Sequence, residues 1–259
     1  MTKDKPWIGY VKPGRIFGNL YFVGTRPAST HIIDTGEGLI MIDPGYHDSL
    51  YLVIQNMWEL GLNPKDIKYI LLSHGHHDHF DGAPALKELT GAITFLGKDD
   101  LDRAKGLSSS FVRYPFTPDV LINDGDIISL GNTKIRCVST PGHTDGVISF
   151  FFNVTDGKTT YTAGMHGGVG YNTLNKEYLT RTGEPFENRQ KYFDSLDKIE
   201  NEKVDIFIGN HVKNNDTIGK LALAETSQEN PFIDPTAWKK FIQKCRQGLI
   251  DLIEREKEV

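Results

Sequence analysis

Cysteine is nearly absent from this chain of 259 residues. There are two, Cys137 in a strand-like run and Cys245 in a helix-like run, and neither belongs to a CxxC pair. That excludes a disulfide scaffold and a cysteine-built zinc module, and it predicts two buried, reduced thiols. An excess of positive charge is missing too. The 29 Lys and Arg stand against 34 Asp and Glu, for a net charge of −5 with no basic run, so no nucleic-acid partner is expected. No apolar stretch is long enough to span a bilayer. The opening MTKDKPWIGY has neither an apolar signal core nor a small-residue cleavage site. The expectation is a cytoplasmic protein without a membrane partner, or an exported one if the sequence is a mature form. A GxSxG element is lacking as well, which removes the serine nucleophile of a strand–helix elbow.

What is present reads as one mixed α/β domain over 1–259, with 38% hydrophobic and 24% charged residues. Runs 39–42, 67–72 and 92–96 read as strands. Leu50, Val53, Ile54, Met57 and Leu60 mark a helix capped by Asp48 or Ser49 and stopped at Gly61; 83–90 reads as a second, closed by Gly91. Asp124-Gly125, Gly131-Asn132 and Asp156-Gly157 predict hairpins among strands at 133–139, 147–154 and 159–163. Helical spacing returns at Phe193, Leu196 and Ile199, followed by a strand at 204–208. A last helix is expected to be capped by Asp234 and opened by Pro235, with Trp238, Phe241, Ile242, Cys245 and Leu249 on its buried face. The glycine-rich stretch 164–186 reads as a loop, and long loops often carry function.

The densest chemistry lies at 71–82, LLSHGHHDHFDG, directly behind the strand 67–72. Gly75 permits a sharp turn, so His74 and His76 can point to one side and supply half of a tetrahedral zinc site. The adjacent Asp78 and His79 can face a neighbouring point. His143, in VSTPGHTDG, and His211, in VDIFIGNHVKNN, each follow an apolar strand at its C-terminal end, where layered α/β folds build sites. The set balances as His74, His76 and His143 for one metal and Asp78, His79 and His211 for another. Three protein ligands each leave a position for water, the mark of a catalytic site. His77 and Asp81 fall outside the pattern, and His31 and His47 read as surface or core residues.

HGHHDH matches the HxHxDH signature of the metallo-β-lactamase superfamily, and TPGHTDG resembles its PGHT element. The likeness extends through NLYFVGT, HIIDTGEGLIMIDPG and, near the end, NPFIDPTAWKKFI. It implies a four-layer αββα sandwich with the metals at one edge between the sheets. Many hydrolases of the superfamily carry a Gly-Asp after a later strand, whose carboxylate bridges both metals. Here Gly164 is followed by Met165, a thioether that cannot serve as a hard bridging ligand. In that respect the chain is most similar to the third subclass of metallo-β-lactamases, although Met165, His166 and Gly167 stand where that subclass usually has small hydroxyl residues.

The resemblance implies a dinuclear zinc hydrolase that activates water against the carbonyl of a small acyl substrate, with a β-lactam as the named case. Iron or manganese also suits His/Asp ligands. Asp78 is the expected catalytic group, orienting the water or passing its proton. His166, Tyr171, Asn172, Asn214 and Asn215 are candidate substrate contacts. The alternatives are a lactonase or thioesterase on the same metals, and a non-catalytic metal-binding relative.

Overall fold

The structure, a computed structural model, describes residues 5–107 and 113–257. The first four residues of the opening stretch and the last two of the 1–259 span therefore lie outside the described residues.

Two sheets form. The first runs in chain order from β1 (Gly14–Phe17) through β2 (Leu20–Phe22), β3 (His31–Asp34), β4 (Leu39–Ile42), β5 (Ile67–Leu72) and β6 (Ile93–Gly97) to β7 (Val120–Ile122). Its pairings are antiparallel up to β4 and parallel from β4 onward. The second holds β8 (Ile127–Leu130), β9 (Thr133–Ser139), β10 (Ile148–Thr155), β11 (Thr160–Met165) and β12 (Ile206–Phe207), with β12 parallel to β11. The helices are α1 (Leu50–Glu59), α2 (His77–Phe80), α3 (Ala83–Thr90), α4 (Leu101–Ala104), α5 (Lys176–Thr182), α6 (Asn188–Ile199), α7 (Thr217–Ala224) and α8 (Ala237–Arg255).

Side-chain alternation along the strands builds the layers. In β4, Ile40 and Ile42 enter the core between the sheets, while Leu39 and Met41 face the outer core that α1 and α3 cover. In β10, Ile148, Phe150, Phe152 and Val154 face the first sheet and Phe151 faces α6 and α8. A strand buried on both faces must be apolar throughout, which is why these runs read so clearly. Trp238 of α8 donates its indole N–H to Ile199 O at 2.8 Å and locks the outer helices together. The αββα sandwich implied by the motifs is the fold that forms. Both cysteines are buried and free.

Several local expectations are corrected. Asp124-Gly125 does not make a hairpin: it joins β7 to β8, which lie in different sheets. Ser49 sits at the N-cap of α1, but its hydroxyl turns to Tyr46 O instead of capping. Asp234 accepts from the N–H and hydroxyl of Thr236, making a turn ahead of α8, so the helix begins at Ala237. The strand at 204–208 shrinks to β12. The stretch 164–186 is not all loop, since it holds the end of β11 and all of α5.

Candidate dinuclear metal centre

Loops leaving the C-terminal ends of β5, β9, β11 and β12 meet at one edge of the sandwich. Ile148 N–H donates to Ser73 O at 2.8 Å and joins the two sheets there. The structure brings the six expected ligands together as two groups, His74 with His76 and His143, and Asp78 with His79 and His211. His76 Nδ1 lies 3.2 Å from His74 Nε2 and 2.9 Å from His143 Nε2. His79 Nε2 lies 3.3 Å from His211 Nε2, and Asp78 Oδ2 stands 3.4 and 3.7 Å from those two nitrogens.

The outward ring nitrogens of four of the five histidines are held by acceptors. His143 Nδ1 donates to Gly170 O at 2.5 Å and His211 Nδ1 to Pro27 O at 2.6 Å. His79 Nδ1 donates to Asp43 Oδ2 at 2.8 Å. His74 Nδ1 donates to Ser73 Oγ at 3.1 Å, and that hydroxyl passes its own hydrogen to Asp43 Oδ2 at 2.6 Å. The inward Nε2 atoms of His74, His143 and His211 are thus lone pairs, with His76 turning its Nδ1 toward the first two and His79 its Nε2 toward the third. Lone pairs converging at this spacing form a donor set suited to a cation. Zinc–nitrogen bonds of about 2.0–2.1 Å at tetrahedral angles place ligand nitrogens roughly 3.3 Å apart, close to the spacing found. The spacing within each candidate triad suits a zinc ion.

Charge divides unequally between them. Burial drives His74 and His76 well below the ordinary imidazole range, with the neighbouring rings adding to it, and holds His143 at about 4. The first triad is therefore neutral at physiological pH. In the second, burial opposes ionisation, but the imidazoles of His79, His211 and His76 hold Asp78 below the usual carboxylate range. Burial likewise opposes an imidazolium at His79, and the carboxylates of Asp78 and Asp43 outweigh it, pushing the ring up to about 10. A metal taking Nε2 competes with that proton.

The candidate substrate contacts separate. His166 is 1% exposed, with Nδ1 on Ser149 Oγ at 3.2 Å. The loop carrying it lies so close to β10 that a Cβ at Gly167 would stand 2.0 Å from Ile148 O. His166 is therefore enclosed in protein in this structure. Tyr171 packs over Gly248 of α8 in the outer core, away from the triads. Asn215 is buried, with its amide donating to Phe207 O and accepting from Thr217 Oγ1. Asn214 donates to Asn210 Oδ1, and Asn210 donates to Gly167 O, so the pair braces two site loops. Asn172 stays exposed beside Gly170, whose carbonyl orients His143. His77 is half-buried with its ring against Tyr46. Met165 directs its thioether into the core between the sheets.

Sequence reasoning missed Asp43, which directly follows the strand 39–42. The residue is 1% exposed, takes the left-handed φ of +52°, and accepts from Ser73 N–H at 2.7 Å as well as from Ser73 Oγ and His79. Aspartate tolerates that backbone region better than most residues. An ionisable residue directly behind a fully apolar strand is the signal that could have marked it.

The metallo-beta-lactamase superfamily profile matches residues 23–165. Among curated proteins, a probable polyketide biosynthesis zinc-dependent hydrolase, PksB of Bacillus subtilis, is 27% identical over 48% of this chain and 51% of its own length. The hydroxyacylglutathione hydrolase GloC of Haemophilus influenzae is 31% identical over 54% of this chain and 67% of its own. The match thus spans about half the length of the first of these relatives. Among solved structures, BJP-1, a subclass B3 metallo-beta-lactamase of Bradyrhizobium japonicum, superposes with a TM-score of 0.89 at 25% identity, covering 99% of both chains. The FEZ-1 metallo-beta-lactamase of Legionella gormanii gives 0.88 at 28% identity, over 96% of this chain and 98% of its own. With the profile covering more than half of the sequence and the sandwich matched from end to end, the chain belongs to the metallo-beta-lactamase superfamily.

Proposed function

We propose that this protein is a dinuclear zinc hydrolase of small acyl substrates, with His74, His76 and His143 holding one ion and Asp78, His79 and His211 the other. One observation carries the reading: two adjacent triads of inward-facing ligand atoms whose other ring nitrogens are mostly tied to hydrogen-bond acceptors. Zinc in such sites supplies Lewis acidity toward a carbonyl and lowers the pKa of water to about 7. The chain's own residues do the rest. Gly170 O, Pro27 O and Asp43 fix the ring orientations before any ligand arrives. Asp78, ionised and with 18% of its side chain exposed, can hold a water by hydrogen bond and accept its proton. Neither cysteine competes as nucleophile, because burial pushes both thiols up to about 12.

A cyclic amide of the β-lactam type is the favoured substrate, supported by the end-to-end likeness to subclass B3 enzymes and by the absence, among the described residues, of a further carboxylate joining the two groups. Thioester hydrolysis is the second reading, favoured by the hydroxyacylglutathione hydrolases among the sequence relatives. Metal-analysed protein assayed in parallel against a carbapenem, a homoserine lactone and a hydroxyacylglutathione thioester separates the two. His76→Ala and His211→Ala should each lose zinc and nearly all turnover. Full activity in either variant defeats the ligand assignment.

A further inference from the structure

We propose that Asp100 is the positioning residue that assembles the first metal triad, so that its carboxylate controls whether the protein carries one zinc or two. The inference rests on the metal reading above and concerns a residue outside both triads. Asp100 lies between β6 and α4 and is 1% exposed. Its Oδ2 accepts from Gly75 N–H at 2.7 Å and from Thr144 Oγ1 at 2.7 Å, and its Oδ1 accepts from Gly146 N–H at 3.1 Å. Gly75 separates His74 from His76, and Thr144 follows His143. One carboxylate therefore holds both loops that supply the first triad, and it makes no such contact with Asp78, His79 or His211.

The glycines around it show how closely the loops converge on this residue. A Cβ at Gly146 would stand 2.4 Å from Asp100 N and 2.6 Å from Asp100 Cβ. One at Gly75 would stand 2.9 Å from Arg103 Cδ and 3.3 Å from Asp100 Oδ2. Arg103, 8% exposed, brings its Nε to 3.6 Å from Asp100 Oδ1 and donates through Nη2 to Glu184 at 3.0 Å. The guanidinium neutralises a carboxylate that would otherwise be buried alone. Three converging donors require an acceptor at both oxygens. Asparagine cannot supply that, since one of its two atoms is itself a donor.

The test is a zinc-binding cycle read by competition with a chromophoric chelator, with no substrate present. In a His211→Ala background, which leaves the first triad, adding Asp100→Asn should weaken the remaining zinc about 10- to 100-fold, the scale of losing an orienting partner. In a His76→Ala background, which leaves the second triad, the same substitution should change zinc affinity less than about threefold. If Asp100→Asn does not yield folded protein, Thr144→Val removes one of the three donors and should weaken only the first triad, by several-fold. Equal weakening of both triads, or of neither, overturns the proposal. Parent protein that binds no zinc would instead overturn the metal reading itself, so the two failures are told apart.

Discussion

Replacing Asp43 by asparagine tests the site through a single proton. The left-handed backbone at φ +52° suits asparagine as well as aspartate, so the fold should accept the change. The carboxylate accepts from Ser73 N–H on Oδ1 and from Ser73 Oγ and His79 Nδ1 on Oδ2. An amide can keep its oxygen toward Ser73 N–H, which turns its NH2 toward the imidazole. His79 must then accept at Nδ1 and carry its proton on Nε2, the atom facing His211. Alternatively the amide rotates and sets an N–H against Ser73 N–H. Either way a buried, charge-assisted hydrogen bond is lost, worth about 1.5–3 kcal/mol. At 1.4 kcal/mol per factor of ten, that is roughly 10- to 100-fold in zinc affinity at the second triad, matching the scale for orienting partners of metal ligands. Chelator competition and zinc stoichiometry after dialysis read it directly. Wild-type affinity at both sites in Asp43→Asn would refute the tautomer argument and with it the assignment of Nε2 as the ligand atom.

Zinc uptake near pH 7.5 should release about one proton per chain from His79, because a ring held up to about 10 by two carboxylates starts protonated. Zinc affinity should accordingly rise with pH toward that value, and calorimetry in buffers of different ionisation heat measures the release; none would contradict the pairing of His79 with Asp78 and Asp43. Burial holds His31 and His166 down at about 3, so both are neutral in the folded chain, while the unfolded chain protonates them below about 6.5. The unfolded state binds more protons between those values, so stability falls as pH drops from about 6.5 toward 3, by on the order of 5 kcal/mol per ring over the whole window. Neither nitrogen of His31 has a partner among the described residues. His31→Leu should therefore flatten that slope and raise the urea midpoint at pH 7, and a lowered midpoint at both pH 7 and pH 5 would show the imidazole to be stabilising. Both thiols, buried and pushed up to about 12, should resist alkylation in the native protein and react on unfolding.

The elements that were legible are those whose burial is written in one local pattern. Strands β4 and β5 and helix α3 end where their apolar runs and stop signals end, because each buries its pattern against the core. Helix α5 was missed for the opposite reason. Its sequence KEYLTRT buries only Leu179, and Asn175, which caps it by accepting from Tyr178 N–H, sits in a stretch dominated by glycines. The turn at Asp124-Gly125 shows a second limit. A turn signal specifies that the chain reverses, but not that the next strand joins another sheet. At the site, the residue types and spacing of the six candidate ligands carry metal chemistry openly. What orients them does not show in the letters, since Gly170 and Pro27 act through carbonyl oxygens that every residue type possesses.

The two triads are supported asymmetrically, and the asymmetry decides how damage should spread. Asp43 touches both, directly at His79 and through Ser73 at His74. Asp100 touches the loops of the first alone. The first triad presents three neutral rings, so a dication held there would keep its full charge toward an incoming group. An ion held by the second would share its charge with the Asp78 carboxylate. On the proposed reading, an anionic or strongly polarised part of a substrate would be drawn harder to the first position, and Asp78 would manage a proton at the second. Perturbing Asp100 should thus impair the polarising half and leave the proton-handling half intact, whereas perturbing Asp43 reaches both. That is a division of labour no single ligand substitution would expose.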